Sequence, residues 1–239
     1  KSIFQKFLFK FLIYRIIAVS KFTKKKILSN LGIPNKKVII ISPKIDIKYF
    51  KKSLNKCIQT NNKNYFKKYL LFIGRLNKSE SYKGLDEIID CSKYLKNKIN
   101  LIVIGDGSDR ERLLKKYKSN KNKNININFV GKVSDNEKFS LLKFSKASIL
   151  CGYGEGFGIS LLESLIAGKR IIASSVDATK ELLLDDDFGV SIHPNDLKSL
   201  ASTIDKTYNS KIEIEKKFSK YESEFDIKKL DEELSLILI

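Results

Sequence analysis

The chain has 239 residues, with 46 Lys+Arg against 27 Asp+Glu and a formal net charge of +19. Such an excess favours phosphorylated ligands, anionic lipid surfaces or nucleic acid as partners, but the Lys residues are scattered among Asn and Ile and read as a diffuse solvated surface. No apolar run reaches the roughly 18–20 residues of a membrane span, and no signal peptide is evident. Cys57, Cys91 and Cys151 have no metal-ligand spacing and form no even set, which suits a reducing compartment. The chain has no Met, even at its start, and reads as a piece of a longer one.

Residues 2–14 place Ile3, Phe4, Phe7, Leu8, Phe11 and Leu12 at helical spacing, edged by Lys6 and Lys10. This helix either packs under a neighbouring sheet or lies on an anionic membrane surface. Arg15 to Val19 is a short β-branched run. Ser20 is set to cap a helix over about 21–31 that Gly32 ends, and Val38 to Ile41 is a second strand. From about 45 the sequence turns polar and Asn/Lys-rich, giving a linker over 51–67.

A regular alternation follows. Strands are expected at 69–73, 101–104, 127–130, 147–150 and 170–173. Helices are expected at 84–97, 108–118, 135–145, 158–167 and 178–184, with a further one capped by Asp196 to about 208. Apolar runs of four or five residues separated by helices predict an α/β, doubly wound parallel sheet over 68–210. Amphipathic helical patterns continue over 211–239. Ligands of such sheets bind at the carboxyl ends of the strands, where Gly74, Gly105, Gly131 and Gly152 fall.

The most informative stretch runs from Gly154 to Glu163. A loop rich in glycine enters an apolar helix that carries one carboxylate, Glu163, whose neighbours three and four residues away are uncharged. A buried carboxylate without an ionic partner is costly, and sugar or ribose hydroxyls would supply its hydrogen bonds. Arg75 follows the first strand of the alternation, and Lys83 opens its helix. With the glycine amides of Gly154 to Gly158 and a helix N-terminus, these cations make a diphosphate site that needs no metal. Gly105-Asp106-Gly107 is a weak Gly-x-Gly turn, because it lacks the third glycine of a dinucleotide fingerprint. His193 and the Asp185-Asp186-Asp187 run read as loop residues.

The segments "FIGRLNKSESYKGLDEII", "LIVIGDGSDRERL", "NFVGKVSD", "GEGFGISLLESLIAGKRIIAS" and "GVSIHPND" together resemble the family-4 retaining glycosyltransferases. The fold this implies is GT-B, two facing Rossmann-like domains, of which 68–210 would be the donor-binding one and 1–50 a remnant of the other. Glu155 and Glu163, with seven residues between them, match the family's signature. The resemblance assigns Arg75 and Lys83 to the nucleotide-sugar diphosphate and Glu163 to the ribose. Glu155, with Gly156 and the amides of Phe157 and Gly158, would orient the transferred sugar. Amides near Ile159 and Ser160 would face phosphate, while Gly131, Lys132 and Val133 would flank the base. Gly74, Gly105 and Asp106 would line the cleft floor.

The expected activity is retaining hexosyl transfer to an envelope polysaccharide or lipid-linked acceptor, with no cofactor or metal, in the cytoplasm or at the membrane's cytoplasmic face. Two other readings stand beside it. One is a non-catalytic nucleotide-sugar-binding subunit that needs a partner domain. The other is a basic nucleic-acid-binding protein, for which no aromatic-basic, helix-turn-helix or zinc pattern is present. The family's glycine-rich N-terminal loop and catalytic-site His have no counterpart here. Val176 to Lys180 stands where paired glycines often precede the Glu that matches Glu181.

Overall fold

The computed structural model describes residues 12–58, 65–121, 124–211 and 214–235. The amphipathic helix expected over 2–14 falls almost wholly outside them. The first unit is a β-α-β crossover. Strand β1 (Ile16–Ala18) pairs in parallel with β2 (Val38–Ile40) through helix α1 (Lys21–Leu31). The Ser20 hydroxyl accepts from the Thr23 amide and the Thr23 side chain closes back on the Ser20 backbone, while Gly32 ends the helix in the left-handed conformation at φ 63°. Ala18, Ile33 and Val38 form this unit's own small core.

The linker expected over 51–67 is helical in its first part, because helix α2 spans Ile47–Lys56. Asp46 caps it by accepting from the Tyr49 amide at 2.8 Å. Ile47, Phe50 and Leu54 share one face and join the main core, where Phe50 meets Phe139 edge-on at 5.0 Å. Three apolar residues at helical spacing were hidden among Lys and Asn, so bulk polarity gave the wrong reading.

The main sheet contains β3 (Leu70–Ile73), β4 (Ile99–Ile104), β5 (Ile125–Gly131), β6 (Ala147–Leu150), β7 (Arg170–Ser174) and β8 (Gly189–Ile192), in the order β5-β4-β3-β6-β7-β8. Every pairing is parallel. Helices α3 (Leu85–Cys91), α4 (Arg110–Ser119), α5 (Asp135–Phe144) and α6 (Ile159–Ile166) make crossovers, 3₁₀ turns connect β7 to β8, and α7 (Leu197–Asn209) follows β8 and packs on the sheet. The central strands are buried on both faces, which is why they read as unbroken apolar runs. Edge strand β8 was not expected, since Gly, Ser and partial burial leave Gly189–Ile192 without such a run. The helix expected over 84–97 is α3 followed by a 3₁₀ turn, and that over 178–184 is a 3₁₀ turn at Ala178–Leu182.

Three short helices, α8 (Glu215–Phe218), α9 (Glu222–Phe225) and α10 (Lys229–Ser235), close the chain. Phe218 lies between Phe188 and Phe225. Ile45 bridges Asp226, with Ile45 N donating to Phe225 O and Ile227 N to Ile45 O. Lys44, buried to 1% exposure, donates to Glu224 O and pairs with Glu233 at 2.7 Å. The C-terminal helices therefore tie the first unit to the main sheet.

Strand order fixes where a ligand can sit. From β3 the chain builds outward through β4 and β5, and from β6 through β7 and β8. The reversal falls between β3 and β6, and crevices at such switch points, beyond the carboxyl ends of the strands, are where open α/β sheets bind ligands.

Candidate functional site

Two loops leave the sheet at that point. Strand β3 exits into Gly74-Arg75 and continues through a 3₁₀ segment, Lys78–Lys83, to Gly84. Strand β6 exits into the loop from Cys151 to Gly158 that opens α6. The two cross at van der Waals distance. A Cβ on Gly84 would lie 2.0 Å from the Cys151 carbonyl oxygen, and one on Gly152 would lie 1.7 Å from that of Tyr82. The Tyr153 amide donates to the same Tyr82 oxygen at 2.7 Å. Only glycines permit this crossing, and it sets Lys83 beside the glycine loop.

Lys83 Nζ pairs with Glu155 Oε2 at 2.7 Å, both side chains being mostly buried. Glu155 Oε1 accepts from the Gly156 amide. The Lys83 stem lies over Gly74, its Cδ 3.0 Å from where a glycine Cβ would be. Arg75 and Lys83 line one crevice with Phe72, Leu76 and Ser81. Arg75 pairs with Glu80 at 2.6 Å and leaves its side chain 77% exposed. Both expected cations thus stand on one segment at the switch point, and Lys83 touches the glycine loop directly.

The loop itself is held from below. Asp177, fully buried, accepts from the Glu155 amide at 3.2 Å and from the Thr179 amide and hydroxyl. Burial raises its carboxyl above the ordinary range. Gly158 is left-handed at φ 92°, and a Cβ there would come within 2.9 Å of Thr179. The first intrahelical bonds of α6 run from Leu161 and Leu162 to Gly158 O, so the amides of Ile159 and Ser160 precede them and point out of the helix end. Ile159 is half exposed, whereas Phe157 is buried against Phe225. Burial also pushes the Cys151 thiol up to about 12, which removes it as a nucleophile near neutral pH.

Glu163 corrects one expectation. Its carboxylate has an ionic partner, Lys138 Nζ at 2.8 Å, which comes from α5. Neighbours on the same helix could not reveal a partner that lies 25 residues upstream. Lys138 lies on the helix that follows β5, and at the end of β5 Gly131 turns at φ 75° with no atom within 4 Å of its missing Cβ. Lys132 is exposed and Val133 packs on the core.

Gly105 lies against the exits of β3 and β5. Its amide donates to Gly131 O, and Gly74 O fills the space of its missing Cβ. The Asp106 side chain closes its own turn by accepting from the Gly107 amide at 2.8 Å.

Four elements of the site were not legible from spacing. Glu80, Lys138 and Asp177 are the partners just described. The fourth is a clasp from the first unit: Ser20 Oγ donates to Gly156 O at 2.8 Å, and the Glu181 carboxylate accepts from the amides of Lys21 and Phe22. The pattern Asn77-x-x-Glu80, typical of a helix start, was the one signal that could have drawn attention to Glu80.

A crossed pair of glycine-gated loops, two cations and a helix N-terminus thus meet at the switch point of a doubly wound α/β sheet, where such sheets bind ligands. Residues 54–225 match the family described as glycosyl transferases group 1, and the chain belongs to that family. An uncharacterised glycosyltransferase of Methanocaldococcus jannaschii is 35% identical over 186 residues, covering 75% of this chain and 45% of the relative. A phosphatidyl-myo-inositol mannosyltransferase of Mycobacterium tuberculosis is 30% identical over 142 residues, covering 56% and 35%.

Among solved structures, a glycosyltransferase from Rickettsia africae superimposes with a TM-score of 0.77 at 20% identity, over 99% of this chain and 67% of that one. An Anabaena protein in complex with UDP and glucose gives 0.77 at 16%, over 98% and 65%. These likenesses establish the Rossmann-like GT-B fold class. The chain spans less than half the length of the two curated relatives named.

Proposed function

We propose that this chain is the donor-binding part of a retaining, metal-independent glycosyltransferase. It takes a hexosyl group from a nucleoside-diphosphate sugar for an envelope polysaccharide or lipid-linked acceptor. The observation that carries this reading is the Lys83–Glu155 contact at the switch point, with Arg75 on the same segment. The UDP and glucose held by the Anabaena neighbour support a nucleotide sugar as ligand, and the mannosyltransferase relative supports a lipid-linked acceptor.

The chemistry follows from charge. As the bond from sugar to diphosphate breaks, negative charge grows on the leaving oxygen. Lys83, Arg75 and the outward amides at Ile159 and Ser160 meet that charge without reorganising, so they stabilise the transition state more than the bound donor. Glu155 is placed to accept hydroxyls of the transferred sugar and to hold the Lys83 ammonium in place. Glu163 accepts from ribose hydroxyls, with Lys138 held against it at 2.8 Å. Attack by the acceptor on the face the diphosphate leaves retains configuration, and the departing phosphate oxygen takes the acceptor's proton.

Among the described residues no helix is long and apolar enough to cross a membrane. Attachment to the cytoplasmic membrane face is part of the proposal through the acceptor's chemistry.

Donor binding is the readout suited to this chain. A thermal-shift panel of UDP-, GDP- and ADP-sugars, with and without chelator, tests the reading. One donor should raise the unfolding midpoint equally in both conditions; saturation at a hundred times Kd corresponds to about 2.7 kcal/mol. No shift with any donor contradicts the reading, and a shift that chelation abolishes contradicts metal independence.

A further inference from the structure

Beside the exposed arginine of the site lies a buried acid that the mechanism does not use. Glu80 is only 8% exposed, whereas the Arg75 side chain that it meets is 77% exposed. Both carboxylate oxygens are engaged. Oε1 takes the Arg75 guanidinium at 2.6 Å, and Oε2 accepts from Asn77 Nδ2 at 3.2 Å. The Glu80 amide donates to Asn77 O at 2.8 Å, and Asn77 Oδ1 accepts from the Ser108 amide at 3.3 Å. Glu80 also marks a kink within the Lys78–Lys83 segment, at φ −116° and ψ 16°. The acid is fixed from several sides, while its partner is a long side chain at the edge of the cleft.

An ordinary surface ion pair orders neither partner, because both side chains lose entropy in making it. Here the acid is ordered by the fold already, so the pair orders the arginine alone. A guanidinium has five donors in a planar fork, and Glu80 occupies one nitrogen. The Arg75 side chain is mostly exposed, and it lines one small crevice together with Lys83.

We infer that Glu80 is a positioning residue that presents the Arg75 guanidinium to the diphosphate of the donor without touching the donor itself. The inference rests on the reading of this site as a diphosphate site. Two effects oppose each other. The Glu80 charge repels a diphosphate, and its hold on Arg75 removes the rotamer freedom that binding would otherwise have to freeze. Burial of the acid beneath an exposed guanidinium sets the cation on the ligand's side, so ordering outweighs repulsion.

The test is a double-mutant cycle read by calorimetric titration of the 239-residue chain. The probe is whichever of UDP, GDP and ADP the wild type binds most tightly. Arg75→Ala, Glu80→Gln, Glu80→Asp and the double variant Arg75→Ala/Glu80→Gln are compared, with their thermal midpoints as a folding control. Glu80→Gln is expected to weaken binding roughly three- to tenfold and to add nothing once Arg75 is alanine. Glu80→Asp keeps the charge but loses the reach, and is expected to behave as Gln does; it also serves as the measurement if Glu80→Gln does not fold.

Unchanged or tighter binding by Glu80→Gln, or losses that add in the double variant, overturns the inference. Arg75→Ala with unchanged affinity overturns the diphosphate reading of Arg75 itself. A loss in Arg75→Ala with Glu80→Gln silent overturns the positioning role alone.

Discussion

The Tyr82 carbonyl oxygen fills the space where a side chain on Gly152 would begin, 1.7 Å from the ideal Cβ position. That contact lets the loop after β3 cross the loop after β6, and it brings a lysine to a glycine turn some seventy residues away. Gly152→Ala must therefore push two backbones apart, at a cost of about 1–3 kcal/mol or more. Gly156→Ala, in the same loop, meets only methyl groups of Thr23 and Val19 at ordinary contact distances of 3.6 and 3.9 Å and should stay within about 0.5 kcal/mol of wild type. Urea unfolding of the two variants measures the contrast. Equal stabilities would mean the crossing does not hold the site.

Glu163 and Lys83 should read different parts of one ligand. Glu163→Ala is expected to weaken nucleoside-diphosphate binding about ten- to a hundredfold, the loss expected for hydrogen bonds to a charged group. It should leave competition by inorganic pyrophosphate unchanged. Lys83→Ala should weaken both. Competition titrations distinguish the cases, and a Glu163 variant that loses pyrophosphate binding equally would place that acid at the phosphates.

Acid sensitivity has one clear source beside Arg75 and Lys83, in an acid that lines the same crevice. Hydrogen bonds from Arg112, then the Lys116 contact, hold the Asp86 carboxyl below its ordinary value of 3.8 against the opposing effect of burial. A carboxyl lowered on folding stabilises the native state above the unfolded value, and that contribution is lost as pH falls through the folded value. Asp86→Asn should therefore be less stable than wild type at neutral pH, with the gap narrowing as pH drops below about 3.8. Unfolding midpoints measured from pH 7 downward check this, and a gap that widens in acid contradicts it.

The sheet was legible because its buried parallel strands are mostly apolar runs, broken by few polar residues such as Ser148. Leu70 to Phe72, Leu101 to Val103 and Ile171 to Ala173 are nearly inaccessible to solvent. The glycines at strand exits marked the cleft for the same reason: close backbone crossings exclude side chains. Two partly buried elements were not legible. Helix α2 shows three apolar residues among lysines, and edge strand β8 has no run at all.

Within the candidate site, the residue pattern singled out Arg75, Lys83 and Glu163, and the family resemblance added Glu155, but neither gave how they pair. Two of the site's ion pairs, Lys83 to Glu155 and Lys138 to Glu163, join different loops or helices, and a linear pattern has no means to register them. The Glu181 hold on the first turn of α1 spans about 160 residues and was hidden for the same reason. That clasp, with Ser20 on Gly156, shows that the first unit touches the glycine loop directly.

The most direct measurement is the affinity of a nucleoside-diphosphate sugar for wild type and for Lys83→Ala, titrated calorimetrically with chelator present. Removal of one fixed cation should weaken binding at least about tenfold, and in a chain of the relatives' full length should lower turnover by about 10²–10³, with the thermal midpoint nearly unchanged. Equal affinity in the two proteins would contradict the claim that protein cations at this switch point hold the diphosphate.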